Sequence, residues 1–126
     1  EGVVFTLLTD VGHITEEMKA IIRNTDYLVI EANYDLQMLQ NGPYPRHLQE
    51  RIQCGTGHLS NAQCGAALVE NYTERLKHIW LCHLSEENNH PELARKSIEQ
   101  AISDAGIKVK LDVLRRKQPT GVFELV

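Results

Sequence analysis

The amino-acid sequence predicts an α/β protein whose sheet is mostly parallel and ends in antiparallel C-terminal strands. Short apolar runs that are typical of buried strands alternate along the chain with segments of helical periodicity. This alternation is typical of helices packed on a parallel sheet. The 126 residues suit one domain, 1–126, which is long enough to bury a sizeable core.

The first half of the chain alternates strands and helices. Residues 3–9 form an apolar, β-branched run that predicts a buried strand. Thr15 stands where an N-cap is needed, which predicts a helix directly after it. A second strand is predicted at 26–32, and two short helices are predicted at 35–40 and 46–53.

The second half continues the same pattern. Ser60 and Gln63 have the spacing of a capping box, which predicts a helix running to about Tyr72. The other predicted elements are a strand at 78–84, a helix from Pro91 to Gly106, a strand at 107–114, a turn at 115–120 and a last strand at 121–126.

Composition narrows the class of protein. A net charge of -4 argues against a surface built broadly for nucleic acid, although it leaves room for a local basic patch. No apolar stretch approaches the roughly 20 residues that cross a bilayer, and no signal peptide is visible. Three widely spaced cysteines without a CxxC motif fit a reduced, cytoplasmic protein.

Because Glu1-Gly2 leads straight into an apolar strand, we expect the chain to begin at a cut.

Titratable side chains stand at the ends of three predicted strands. Asp10 follows the first strand, Glu31 ends the second, and His83 ends the third. Ligands of open α/β sheets collect beyond the carboxyl ends of the strands. If these strands are parallel neighbours, the three residues share one rim and predict a site there.

Each candidate also has a structural interpretation. Asp10, before Gly12, could approach a metal or a phosphate, although a turn aspartate is the commoner case. His83 could ligate a metal or be a hydrogen-bonded core histidine. His58 precedes a helix N-terminus, where it could protonate a leaving group, hold a phosphate or simply pack. Cys82 is expected to be a core residue.

Four segments in this order resemble the second half of a metallo-β-lactamase-fold hydrolase. The YycJ (WalJ)-like group of bacterial proteins is the most similar branch, and tRNase Z and the PhnP phosphodiesterase are more distant. The segments are Thr9-Asp10-Val11-Gly12, Val29-Ile30-Glu31-Ala32-Asn33-Tyr34-Asp35, Gly57-His58-Leu59-Ser60-Asn61 and His83-Leu84-Ser85-Glu86-Glu87-Asn88-Asn89.

The resemblance implies a fold and a mechanism. The chain would be the C-terminal half of a four-layer αββα sandwich. Asp10 would bridge two divalent metal ions, Zn²⁺ or Mn²⁺, and His83 would bind one of them. His58 would protonate the leaving group, while Glu31, Asn33 and Ser60 would support these groups. The implied reaction is hydrolysis of a phosphodiester in nucleic acid, or of a small phosphodiester, by a metal-activated water.

The chain also departs from this family. The His-x-His-x-Asp-His motif is absent, and so is the family histidine between that motif and the aspartate. We therefore expect a fragment that is inactive by itself. Its inner sheet face would lack a partner sheet, so homodimerisation or domain swapping through that face is expected.

Two other functions fit the sequence. The chain could be a non-catalytic α/β protein-interaction module that binds a partner through its sheet edge and a basic tail around Arg115-Arg116-Lys117. In that case Asp10 and His83 would be dispensable. A nucleotide-binding protein with a phosphate at the start of the helix after His58 is less favoured, because no glycine-rich loop follows the first strand.

Overall fold

A computed structural model describes residues 2–115 as one parallel sheet with helices. The four strands lie in the order β1-β2-β3-β4, and each pairs in parallel with the next. The strands are β1 Phe5–Leu8, β2 Tyr27–Glu31, β3 His78–Cys82 and β4 Lys110–Val113. The helices of this part are α1 Glu16–Arg23, α2 Leu36–Asn41, α3 Arg46–Gln53, α4 Asn61–Asn71 and α5 Pro91–Asp104.

The predicted caps begin these helices. The Thr15 hydroxyl accepts a hydrogen bond from the Met18 backbone N–H at 3.1 Å, which starts α1. Ser60 and Gln63 form the full capping box of α4. Pro91 opens α5, and Gly106, with a φ of +75°, follows its end in the left-handed conformation that glycine tolerates. Local sequence signals therefore fix the helix starts.

One face of the sheet carries the helices. Its strand residues include Leu28 and Leu81, both fully buried. They pack with residues of α1, α4 and α5, including Ile22, Leu68 and Ile98. Right-handed crossovers between successive strands place the connecting helices on the same side of the sheet. None of the helices between residues 2 and 115 combines the length and the apolar character that crossing a bilayer requires.

The opposite face of the sheet forms a second apolar cluster, made of Tyr27, Val29, Trp80 and Cys82. Cys82 is buried as predicted, and burial raises the pKa of its thiol to about 11. Beside this cluster, two side chains of β1 are exposed to solvent: Phe5 is 53% and Leu7 59% exposed. The mixed α/β architecture agrees with a fragment of a sandwich fold, and its apolar β1 edge is exposed on this face.

The last part of the described chain continues the parallel sheet. The strand predicted at 107–114 is present as β4, which pairs with β3 in parallel, with Ile79 opposite Leu111. The physical reason is α5, which carries the chain back along the sheet before β4 begins, as in other parallel crossovers. The last predicted strand, 121–126, and most of the turn before it lie outside the described residues.

Candidate functional site

The ends of β1, β2 and β3 bring the three predicted rim residues together. Nε2 of His83 lies 3.7 Å from Oδ1 of Asp10. Nδ1 of the same ring lies 3.1 Å from Oε2 of Glu31. The parallel order of the strands accounts for this meeting, because their carboxyl ends share one edge of the sheet.

His58 reaches the same edge from the loop between α3 and α4. Its Nδ1 lies 2.9 Å from Oε2 of Glu31, and its ring centroid lies 5.3 Å from that of His83. This loop can lie close to the turn after β1 and to the end of α3, because glycines stand at the points where the backbones meet. A Cβ on Gly12 would overlap the Gly55 carbonyl oxygen, and one on Gly57 would overlap the Ile52 carbonyl oxygen.

The Glu31 carboxylate is the centre of this group. It is fully buried, and its Oε1 accepts a hydrogen bond of 2.9 Å from the Val11 backbone N–H. Its Oε2 faces Nδ1 of both His58 and His83. A carboxylate oxygen accepts, so both rings carry a proton on Nδ1. Each neutral ring then has a free lone pair on Nε2, where it can bind a metal or exchange a proton.

Two of the site residues have an unusual backbone conformation. Asp10 and His83 have φ angles of 57° and 58°, and they are the non-glycine residues with positive φ in the described chain. This left-handed region is strained for residues with a Cβ, and such strain gathers at functional sites. The His83 carbonyl is held in place by a 2.7 Å hydrogen bond from Nδ2 of Asn33.

Behind the site, buried amides tie three loops together. The side chains of Asn61 and Asn89 exchange two hydrogen bonds, of 3.0 and 2.9 Å, and Asn89 also donates to the Ala32 carbonyl. The Ser60 hydroxyl accepts from the Gln63 N–H, so it caps the start of α4 two residues after His58. Sequence reasoning missed the Asn61–Asn89 pair, although the amide-rich segment around Asn88-Asn89 was visible.

A cleft of about 590 Å³ opens at this rim. Asp10, His58 and His83 line one part of it. Side chains from the loop before α3 and from α3 itself line another part, namely Tyr44, Leu48, Arg51 and Ile52. The reactive groups therefore lie beside a space that can hold a ligand.

The donor atoms suit a divalent metal. Glu31, His58 and His83 each offer one ligand atom, and these atoms lie within 4.8 Å of one another. Both Glu31 oxygens are already hydrogen-bonded, which leaves as free donors Nε2 of His58 and a facing pair, the Asp10 carboxylate and Nε2 of His83. Carboxylate and imidazole are ligands that Zn²⁺ and Mn²⁺ accept. A catalytic zinc takes about three protein ligands, so this pair fits part of a coordination shell.

The chain is similar to curated bacterial proteins. It is 39% identical over 103 residues to a protein named exodeoxyribonuclease YycJ from Bacillus anthracis, which covers 82% of this chain and 39% of that protein. It is 40% identical over 108 residues to exodeoxyribonuclease WalJ from two strains of Streptococcus pneumoniae, covering 86% of this chain and 40% of those proteins. The chain thus spans about two fifths of the length of these relatives. No protein-family model matches it.

Proposed function

We propose that this chain, which is YycJ/WalJ-like over most of its length, forms part of a metal-dependent nuclease. The nuclease would hydrolyse phosphodiester bonds in DNA. The observation that carries the proposal is the buried Glu31 carboxylate, which orients two histidines with both Nε2 atoms free. The names of the relatives supply the substrate class.

The free donors define the metal-binding residues of the proposal. Asp10 and His83 would be the residues that hold Zn²⁺ or Mn²⁺, with two ions expected as in the metallo-β-lactamase superfamily. When bound, the ions lower the pKa of a water toward about 7 and offset the charge that develops on the phosphoryl group. Asn33 fixes the backbone of His83, and Ser60 fixes the start of the helix behind His58.

His58 is the proposed proton donor. With Nδ1–H bonded to Glu31, its Nε2 is the atom that can gain a proton and pass it to the leaving oxygen. The buried Glu31 carboxylate stabilises the positive charge that the ring carries when both nitrogens are protonated. His58 and Glu31 therefore act as an acid and its orienting partner.

The experiment is hydrolysis of DNA by the intact natural protein that contains these residues. His58→Asn should lower kcat by about 10² to 10⁴, the usual contribution of a general acid. The control is His47→Asn, which removes an exposed histidine of α3 and should leave kcat unchanged. Equal rates for the two variants would contradict the role of His58. Equal rates for Asp10→Asn and the wild type would instead favour the non-catalytic interaction module.

The 126-residue chain by itself is proposed to be inactive, because its free metal donors fill part of a coordination shell. It should not hydrolyse bis-p-nitrophenyl phosphate in the presence of Mn²⁺ or Zn²⁺. Hydrolysis that a chelator abolishes would contradict this. We also propose a cytoplasmic location, which three widely spaced cysteines without a CxxC motif favour.

A further inference from the structure

We propose that Tyr44 and Arg51 form a subsite that binds one nucleotide of a single DNA strand beside the reacting phosphodiester. This inference rests on the proposed function, because it names how the same cleft holds its substrate. Both residues line the cleft that also contains Asp10, His58 and His83.

Arg51 is the cation available to a phosphate in this cleft. It is the one lysine or arginine among the described residues that line it, and its side chain is exposed. None of the ion pairs formed within residues 2–115 includes it. By contrast Arg46, on the same helix, lies 3.7 Å from Glu50 and outside the cleft lining. Arg51 is therefore free to donate to a phosphate oxygen.

Electrostatics explains why such a cation is needed. The chain has a net charge of -4, and the Asp10 carboxylate lines the same cleft and is uncompensated when no metal is bound, as in EDTA. These negative charges repel DNA. Proteins that bind DNA neutralise its phosphates with arginine and lysine side chains. A guanidinium beside the reacting groups offsets that repulsion at the adjacent phosphate.

Tyr44 supplies the aromatic surface for a base. It is half-buried, and its carbonyl accepts a 2.8 Å hydrogen bond from the side chain of Gln49. Pro43 and Pro45 flank it and restrict its backbone, so the ring is presented at little entropic cost. Leu48 and Ile52 continue the apolar wall. Bases stack on such aromatic rings with little dependence on sequence.

The cleft has the size of one nucleotide, and an unpaired base can enter it. Its volume of about 590 Å³ lies within the range of about 300–1,000 Å³ found for pockets that enclose small ligands, which suits one nucleotide unit. A base inside a duplex is stacked between its neighbours and must leave the stack to reach a side chain in a cleft. The subsite should therefore prefer single-stranded DNA over a blunt duplex.

The first test measures binding of a fluorescein-labelled ten-residue thymidine oligonucleotide to the intact protein in EDTA, by fluorescence anisotropy at several salt concentrations. Arg51→Gln should weaken binding about tenfold and reduce the slope of log K against log salt by about 0.7, the value for one phosphate contact on a single strand. Arg46→Gln is the charge-matched control and should change binding by less than about twofold. Equal behaviour of the two variants would overturn the role of Arg51.

The second test separates stacking from charge. Tyr44→Ala should weaken binding about five- to 100-fold with an unchanged salt slope, whereas Tyr44→Phe should bind like the wild type. Wild-type affinity of Tyr44→Ala, or equal affinity of the wild type for the oligonucleotide and a blunt duplex of the same length, would overturn the stacking subsite.

Hydrolysis of bis-p-nitrophenyl phosphate by the same intact wild-type protein separates the two proposals. If it hydrolyses this diester with Mn²⁺ or Zn²⁺ but Arg51→Gln binds DNA like Arg46→Gln, the subsite is wrong and the nuclease stands. If binding depends on Arg51 and Tyr44 but no diester or DNA is hydrolysed, the nuclease is wrong and the nucleotide site stands.

Discussion

At the scale of single residues, the arrangement of the site depends on the carboxylate of Glu31. Three donors converge on its two oxygens: the Val11 N–H and Nδ1 of His58 and of His83. A carboxylate can accept all three hydrogen bonds, whereas a glutamine amide must turn one NH₂ group toward a donor. The position therefore demands a charged side chain although it is fully buried.

Glu31→Gln should destabilise the intact protein by about 1–3 kcal/mol, the cost of leaving a buried donor unpaired. It should also lower DNA hydrolysis, because the orientation of both histidines is lost. Urea unfolding and a rate assay check the two effects, with Glu50→Gln as the exposed control. A variant that keeps wild-type stability and rate would show that Glu31 does not orient the histidines.

The sequence indicated some site residues and hid others. Asp10 and His83 were visible because each follows an apolar run that predicts a strand, and His58 because it precedes a capping box. The central position of Glu31 depends on burial and on contacts with residues up to 52 positions away. Arg51 belongs to a helix with no special pattern, so only the folded chain places it in the cleft.

At the scale of elements, the loop from α3 to α4 must lie close to the turn after β1. Gly12 makes this contact possible, since a Cβ there would overlap the Gly55 carbonyl oxygen. Gly12→Ala should shift the loop that carries His58, lowering stability by about 1–3 kcal/mol and slowing DNA hydrolysis. Thermal unfolding and a rate assay on the intact protein measure both.

Gly55→Ala is the matched control for this contact. A Cβ at Gly55 would lie 3.6 Å from Nδ1 of His13, an ordinary contact distance. This variant should unfold and react like the wild type. If the two alanine variants behave alike, the close approach at Gly12 is not what positions the loop.

Asp26 links the start of β1 to the segment before β3. Hydrogen bonding from the Val4 backbone N–H, and then from Arg75, lowers the pKa of its carboxyl group. A group whose pKa is lower in the folded than in the unfolded state stabilises the fold at higher pH, and this contribution is lost as the pH falls through the folded pKa.

Asp26→Asn should therefore lower the unfolding temperature of the intact protein at pH 7 and make less difference below about pH 4, where the unfolded carboxyl is protonated. Thermal unfolding from pH 3 to 8 measures this convergence. A constant difference between the two proteins across that range would contradict the ionic contribution.

The elements differed in how well the sequence predicted them. The starts of α1, α4 and α5 follow from caps, which are local contacts between residues a few positions apart. The direction of β4 depends on how α5 crosses the sheet, which no local signal in β4 itself reveals. Strand direction is a property of the connection, and the residues of a strand carry little information about it.

At the scale of the whole molecule, the β1 edge of the second sheet face is exposed and apolar. Phe5 and Leu7 are more than half exposed beside a buried aromatic cluster, and the chain spans about two fifths of the length of its relatives. Contiguous exposed apolar surface of this kind marks an interface or a site of aggregation.

The 126-residue chain by itself should therefore self-associate through this face. Leu7→Lys should shift it toward the monomer in analytical ultracentrifugation. Leu36→Lys, which changes an exposed leucine of α2, should leave association unchanged. A wild-type chain that is monomeric and unfolds cooperatively at about 100 µM would contradict the homodimer expected through this face.

The most direct test of the account is the metal content of the intact natural protein. After incubation with Zn²⁺ or Mn²⁺ and gel filtration, mass spectrometry of the metals should find about two ions per chain in the wild type and in the control His47→Asn. His83→Asn should lose at least one ion, because Nε2 of His83 is a free donor facing Asp10. A wild type that retains no metal, or a His83→Asn variant that retains as much as the wild type, would contradict the proposed metal site.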